Sequence, residues 1–531
     1  MITESHSQCA KIGIGGDLVR TPDISSLFRR RSAVARRCGA LAAACLLSAS
    51  IAGCAVGPDY RMPPPPRAKG YVRGGLPAQT ASANVNGGEA QHFVPARDIP
   101  GDWWTLFRSP ELNALIRRAL ANNPTLAAAQ AALRQADETL AAGRGAFYPG
   151  VSGSLGATRQ RASGAAFGSA RAFIYTLNSA SVNVSYTLDA FGGVRRQVEA
   201  LRAQAEYQRF SLEGAYLSLT ANLVTAAVAE ASLHAQIRAT RQIAEAQRAD
   251  LAIVRRSVAA GGASRADILQ QRTVLAATLA TLPPLEAALA QQRNLLATYT
   301  GSLPTQFAAR DFTLDSLKLP RDLPVSLPSR LVEQRPDVRA YAALLHEATA
   351  EVGVATANLL PKLTLSGSYG GEAAKFADIF SPASTIWGLA ASVTQPLFEG
   401  GQLIHQRRAA IAAAQEAAAN YKATVLSAFQ NVSNVLLALQ ADARSVAAQA
   451  DAAQAAAQSL VLVRVQFRSG AVTRSQVLIA EQNDRSAEIA LVKARAQRYA
   501  DTAALFQALG GGWWHRQDST VKTNDCCKGH L

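Results

Sequence analysis

The chain has 531 residues, is 49% hydrophobic and 17% charged, and carries a formal net charge of +16. This is enough for a large core and nominally for several domains. Beyond residue 53 the arginines are scattered singly or in adjacent pairs along alanine-rich stretches, with no basic run interleaved with aromatics, which argues against a nucleic-acid partner despite the basic balance.

At the N terminus, Arg29, Arg30, Arg31, Arg36 and Arg37 form a positive region, and CGALAAACLLSAS (38–50) is a short apolar stretch. That order is the shape of a secretory signal, and the apolar part is shorter than the roughly 20 residues a spanning helix needs. IAGC at 51–54 resembles a bacterial lipobox, which implies cleavage of residues 1–53 and lipid attachment at Cys54. Ala55, rather than Asp, follows the cysteine, which in lipoprotein sorting implies an outer-membrane address. The leader is longer than such signals need, so a start at Val34 is expected. Cleavage removes seven basic and three acidic side chains and leaves a mature charge of +12. Cys9, Cys38 and Cys45 leave with the leader, so beyond Cys54 only Cys526 and Cys527 remain, and no disulfide framework is expected. The mature chain has no uninterrupted run of about 18 apolar residues; a membrane crossing would have to use strands.

Residues 54–100 contain MPPPPRAKG and NVNGGEA and read as a lipid-anchored linker rather than a core. Order is expected from GDWWTLFRSPELNALIRRAL. There Ser109 suits an N-cap and Pro110 the first helical position, while Leu112, Leu115, Ile116 and Leu120 recur at helical spacing. Trp103, Trp104 and Phe107 read as an apolar plug beneath that helix.

The chain then writes one pattern twice. Helices open at Pro124 and Pro336, prolines at 149 and 361 lead into alternating strands, and second strands end at Gly192/Gly193 and Gly400/Gly401. A very long helical pattern follows each, running to SVAAGGASRADIL and QFRSGAVTRSQVL, and a return helix completes each half. The matching positions lie about 210 residues apart, so we read a first repeat at 101–306, a connector at 307–328, a second repeat at 329–512 and a disordered tail at 513–531. At 1.5 Å per residue each long helix spans roughly 100 Å, and each return helix stacked on the helix before its first strand spans about the same. Such matched columns, rich in alanine, suggest a helical cylinder.

In SVNVSYTL, Val182, Val184, Tyr186 and Leu188 alternate with polar residues, as do Leu363, Leu365 and Tyr369 in LTLSGSYG. That apolar-out, polar-in alternation suits a membrane barrel strand. Four strands cannot close a barrel, and an open edge does not survive in lipid, so a barrel demands an oligomer. The fold class is therefore mostly α with a membrane β-barrel, built from a duplicated half.

Cys54 with AVGPDY, WWTLF at 103–107, the twin prolines, FGG and FEGG after the second strands and the paired glycine turns together resemble the TolC-like outer-membrane efflux proteins, nearest their NodT-type lipoprotein branch. The resemblance covers residues 54–512. It implies a homotrimer whose twelve strands, four per chain, form one barrel in outer-membrane lipid, continuous with a periplasmic helical tunnel. It also implies a passive duct for small molecules such as drugs and toxic compounds, working with an inner-membrane pump and a periplasmic adaptor, and using no cofactor or metal. The family's periplasmic tips meet the adaptor; carried onto this chain they are Gly262, Ala263, Ser264, Arg265 and Asp267, and Gly470, Ala471, Val472, Thr473 and Arg474. Near the second tip Arg464, Arg468, Glu481 and Asp484 read as solvated helix charges, and gate residues stay unassigned.

An enzyme is the first alternative. His346 and Glu347 begin an HExxH-like pair, yet Ala350 stands where the second histidine is needed, and no Walker loop, GxSxG or CxxC is present. His92, His234, His405 and His515 fall on linker or helix and are read as lacking partners. A periplasmic adaptor lipoprotein would need a lipoyl-like or β-barrel domain beside one hairpin, and this chain has two hairpins. A type I protein-secretion duct shares the architecture and is left open by the sequence.

Overall fold

A computed structural model describes residues 55–163, 171–307 and 311–516. Cys54, Cys526 and Cys527 lie outside the described residues. Contacts divide the chain into Met1–Ala55 and Val56–Leu531, and the architecture below is that of the second unit.

Both halves begin with helices that start on proline, whose missing N–H is no loss at a helix N terminus. In the first half these are α1 (Pro110–Asn122) and α2 (Pro124–Arg144). The Ser109 Oγ accepts from the Leu112 N–H at 3.3 Å, and the Asn123 Oδ1 accepts from the Leu126 N–H at 3.0 Å. Strands β2 (Gly150–Ala162) and β3 (Phe173–Leu188) follow, then α3 (Gly193–Ala259). The return column is α4 (Arg265–Ala280) and α5 (Leu282–Tyr299). The second half repeats this order with α6 (Pro328–Gln334), α7 (Pro336–Ala357), β5 (Lys362–Ala373), β6 (Thr385–Thr394), α8 (Gln402–Arg468) and α9 (Arg474–Ala508).

Helices α3 and α8 have 67 residues each, about 100 Å. Each starts after a left-handed glycine, Gly192 at φ 77° and Gly401 at φ 85°, a conformation glycine adopts without steric cost. The return helix of the second half is continuous, whereas that of the first is broken at Thr281. Pro283 and Pro284 follow the break, and a proline removes the N–H that an unbroken helix needs. The return helices abut the first helices end to end. The Asn123 Nδ2 donates to the Tyr299 carbonyl at 2.9 Å in one half, and the Arg335 Nη1 donates to the Ala508 carbonyl at 2.9 Å in the other. By length and apolar composition alone α3 and the 265–299 column could cross a membrane. At 67 residues α3 exceeds a bilayer's need more than threefold, and over half of its most apolar window is buried inside the protein.

The four long strands form one antiparallel sheet in the order β2-β3-β5-β6, so the two halves meet at β3 and β5. A second, two-stranded parallel sheet joins β1 (His92–Pro95) to β4 (Asp322–Val325).

That small sheet corrects the reading of 54–100 as a linker rather than part of a core. The Val56 N–H donates to the Phe191 carbonyl at 3.0 Å, the Arg196 guanidinium reaches Asp59 at 2.7 Å, and Tyr60 stacks on His346 at 4.3 Å. Further on, the fully buried Arg498 of α9 donates to the Thr80 and Gln91 side chains and to the Gly87 and Glu89 carbonyls. The segment has few apolar residues to reveal this; Phe93 and Ile99 are buried, Tyr60, Tyr71, Val72 and Leu76 pack against the core, and polar groups of the helices hold much of the rest.

The core lies where the columns meet. Trp103 stacks on Phe506 at 5.2 Å, Phe107 is fully buried, and the Tyr499 hydroxyl donates to the Leu317 carbonyl at 3.1 Å. Trp103, Trp104 and Phe107 are thus the apolar plug that the sequence suggests. The tail reading is corrected for four residues. The turn Trp513–His515 is ordered, with the Trp513 Nε1 donating to the Gln334 carbonyl at 2.7 Å, His515 2.6 Å from Asp98 and Arg516 2.9 Å from Glu213. Residues 517–531 are outside the described residues.

Candidate functional site

Two hairpin tips join the long helices to their return helices. At the end of α3 the Gly261 N–H donates to the Val258 carbonyl at 3.0 Å and the Gly262 N–H to the Ser257 carbonyl at 2.9 Å. At the end of α8 the Gly470 N–H donates to the Phe467 carbonyl at 3.0 Å and the Ala471 N–H to the Gln466 carbonyl at 2.9 Å. Both are Schellman stops, and the left-handed residues are Gly261 (φ 79°) and Gly470 (φ 74°). The residue equivalent to Gly470 is therefore Gly261, a correction to the sequence pairing with Gly262. The double glycine hid it, because either residue could have taken the turn.

The next helices open alike. The Ser264 Oγ accepts from the Asp267 N–H at 3.2 Å, and the Asp267 carboxylate accepts from the Ser264 N–H at 2.8 Å. The hydrogen bond from that backbone N–H, with the one from the Ser264 hydroxyl, holds Asp267 below the usual carboxylate range. Thr473 and Gln476 repeat the box, the Gln476 Oε1 accepting from the Thr473 N–H at 2.8 Å. Gln476 was missed in the sequence, although a serine or threonine followed three residues on by Asp, Glu or Gln is the signal of such a box.

Gly262, Ser264, Arg265, Asp267, Gly470, Ala471 and Thr473 are exposed, and Ala263 and Val472 are half-buried. Arg474 breaks the symmetry: it turns inward and pairs with the buried Asp250 of α3, tying one hairpin to the other. Burial lowers the Arg474 pKa, and Phe467 lies under its guanidinium at 5.5 Å. One turn of α8 higher, Arg464 bridges to the largely buried Glu481 of α9 at 2.7 Å. These two groups are an interhelical contact, which corrects their reading as solvated charges; Arg468 is exposed.

At the other end of the long helices, strand register sorts the sheet into two chemical faces. Val151 lies opposite Val184, Val184 opposite Gly367, and Gly367 opposite Leu389. Two residues along, Val182 lies opposite Tyr369 and Tyr369 opposite Trp387. Most of the large residues of this face are exposed, Leu389 at 83% and Trp387 at 73%, while Tyr186 and Leu363 are half-buried. The other face carries Ser154, Ser181, Asn183, Ser366, Ser368 and Ser392, with the Ser154 and Ser181 hydroxyls 2.8 Å apart. Among the described residues, strands β2 and β6 each present one unpaired edge.

Of the four histidines read as lacking partners, two have them, against expectation. His515 meets Asp98, and His234 lies 3.6 Å from Glu230 and 3.7 Å from Asp311. Glu230, His234 and Asp311 would suit a cation, but the Arg293 guanidinium already sits among them, reaching Glu230 at 3.1 Å, His234 at 3.1 Å and Asp311. Burial raises the Glu230 pKa, with Arg293 opposing it. With Arg293 in its centre the cluster is an ion network that fastens the connector to α3 and α5.

The chain matches the family described as outer membrane efflux protein at residues 115–302 and 327–511, one match in each half. It is 31% identical over 452 residues to the pyoverdine export outer membrane protein OpmQ of Pseudomonas aeruginosa, covering 83% of this chain and 94% of that protein. It is 28% identical over 482 residues to the toluene efflux pump outer membrane protein TtgC of Pseudomonas putida, covering 89% and 96%. The outer-membrane channel OprN superposes with a TM-score of 0.78 at 27% identity, over 87% of this chain and all of that one. The Campylobacter jejuni CmeC outer membrane channel shares the fold, with a TM-score of 0.79 at 20% identity over 88% of this chain and 96% of that one. The chain belongs to the outer membrane efflux protein family.

Proposed function

We propose that this protein is the outer-membrane duct of a tripartite efflux pump, a passive conduit for small molecules rather than an enzyme. The observation that carries the reading is the sheet: one exposed face is apolar, the other is lined with serine, threonine and asparagine, and both edges are unpaired. In lipid every strand edge must be paired, so three copies closing edge to edge give a barrel of about twelve strands with the polar face inward. The paired columns of about 100 Å then continue the conduit as a helical tunnel through the periplasm.

In this reading Cys54 carries the lipid that tethers each protomer, with the ordered segment after it as a strap along the helices. The tips at 261–267 and 470–474 are the contact for a periplasmic adaptor, which links the duct to an inner-membrane pump. Their backbone groups are satisfied internally by the Schellman stops and by the side chains of the two capping boxes, which leaves the exposed Arg265 and the small residues of each turn to meet a partner, with Arg474 turned inward.

Efflux of a fluorescent dye from the native host, with and without the gene, tests the duct. Slower efflux on deletion, restored by the intact gene, is expected; unchanged efflux of every pump substrate tried would overturn it. For the tips, Gly262→Trp combined with Gly470→Trp is expected to abolish efflux while the protein stays in the outer membrane. Normal efflux in that double variant would remove the adaptor assignment.

A further inference from the structure

The apolar face of the sheet does not stay apolar to its end. Along β2 the register that puts Val151 opposite Val184 and Leu155 opposite Ala180 also puts Arg159 opposite Thr176 and Arg161 opposite Ile174. All four β2 residues lie on one face, because side chains alternate with a period of two. Val151 to Arg159 is roughly 27 Å along the strand, or about 20 Å of depth at a typical barrel tilt, close to the height of the apolar band of such barrels. An arginine is tolerated on a lipid-facing surface at the interfacial level and strongly disfavoured at the bilayer centre. Both arginines are exposed, and neither has an ion-pair partner among the described residues. Gln160, between them, takes the polar face.

Just below the arginines the apolar face is grooved. The segment between β5 and β6 folds back over it, and a Cβ at Gly371 would come within 2.0 Å of the Ile379 carbonyl oxygen, so glycine is what lets the segment lie down. Between segment and strands is a groove of about 550 Å³ lined by Leu155, Val182, Tyr369, Ile379 and Phe380. Phe380 is 80% exposed at its mouth. Leu155 and Arg159 are separated by about 13 Å, so an apolar slot and a cationic pair stand in line along one face.

We propose that this is a binding site for a phosphate-bearing lipid of the outer leaflet, its head group on Arg159 and Arg161 and an acyl chain in the groove. The inference rests on the barrel reading, which turns this face toward lipid and its far end outward. Charge selects the occupant: a neutral lipid would leave two guanidinium groups without a counter-ion, and a zwitterionic one offers a single phosphate balanced by its own cation, whereas a net-anionic head group offers phosphate that planar guanidinium groups bind through paired hydrogen bonds.

The full-length chain is placed in phosphatidylcholine nanodiscs doped with equal amounts of lipid A and its dephosphorylated form, and the co-purifying lipid is measured by mass spectrometry. Wild type is expected to enrich the phosphorylated form, and Arg159→Gln with Arg161→Gln to lose the preference, by about fivefold per charge. Equal retention of both forms by an inserted wild-type protein would overturn the site and leave the barrel standing, as would a preference undiminished in the double variant. Loss of the preference on adding excess inorganic phosphate would also overturn it, by marking a free-ion site. Failure of wild type to insert into any bilayer would instead refute the barrel reading.

Discussion

Arg474 at the start of α9 pairs with Asp250 of α3, so the second tip is fastened to the first hairpin a few turns above that hairpin's own tip. Asp250 is only 6% exposed, and a carboxylate so placed is destabilised when its partner is removed. In a duct this contact restrains α8 and α9 against α3. Asp250→Asn is expected to raise the open-to-closed ratio about tenfold, the effect of a loss near 1.4 kcal/mol. Single-channel conductance in planar bilayers reads this directly. The charge swap Asp250→Arg with Arg474→Asp should return it toward wild type, and an unchanged conductance in the single variant would show that the pair does not restrain the helices.

The tip glycines predict unequal costs. Gly261 and Gly470 have positive φ with open space around them, whereas Gly262 does not have positive φ. Gly261→Ala and Gly470→Ala should each cost about 1 kcal/mol, the strain of placing a Cβ in the left-handed region. At Gly262 an added Cβ would meet the Ser257 Oγ at 3.1 Å, a side chain able to move, so Gly262→Ala should stay within about 0.5 kcal/mol. Denaturant midpoints of the three variants would separate them; equal losses at 261 and 262 would contradict the assignment of the stop.

That pair of glycines marks the boundary of what could be read ahead. The duplication, the proline-started helices and the strand alternation were legible because each repeats a local rule: a cap, a missing N–H, a period of two. Ser109 with Pro110, and Val182 with Val184, needed no distant partner to be recognised. The strap was illegible for the opposite reason. Nothing in MPPPPRAKG or NVNGGEA says that Arg498, some 400 residues away, will donate to the Gly87 and Glu89 carbonyls. Arg265 and Arg474 look equivalent in sequence, and only the packing of α3 against α9 sends one to solvent and the other to Asp250.

Arg498 provides a test of the strap. Its guanidinium is fully buried and its acceptors are neutral groups of Thr80, Gly87, Glu89 and Gln91. Arg498→Leu would remove several charge-assisted hydrogen bonds and orphan their acceptors, for a loss of about 3 kcal/mol or more. Because those acceptors belong to the strap, the loss should appear locally. Limited proteolysis is expected to cut within residues 61–91 faster in the variant, with the helices still resistant. Cleavage at the wild-type rate would mean that the strap is held by other contacts, such as Arg196 with Asp59.

The same region makes stability depend on pH. Asp442 of α8 faces Asp501 of α9, with Arg498 nearby; burial, then the Asp501 carboxyl, push Asp442 up to about 7, and Arg498 opposes them. In the unfolded chain an aspartate loses its proton near pH 4. Between about pH 4 and about pH 7 the folded state therefore binds more protons than the unfolded state, and stability falls as pH rises through that window. Above about pH 7 both states have lost the proton and this contribution is flat. Asp442→Asn supplies a permanent neutral partner for Asp501. Its unfolding midpoint should lose the decline between about pH 5 and about pH 7 and exceed wild type at about pH 8. Arg498→Leu should extend the decline to higher pH, since it removes the charge that favours the ionised form. Parallel pH profiles for wild type and Asp442→Asn would show that the carboxyl pair does not share its proton in this range.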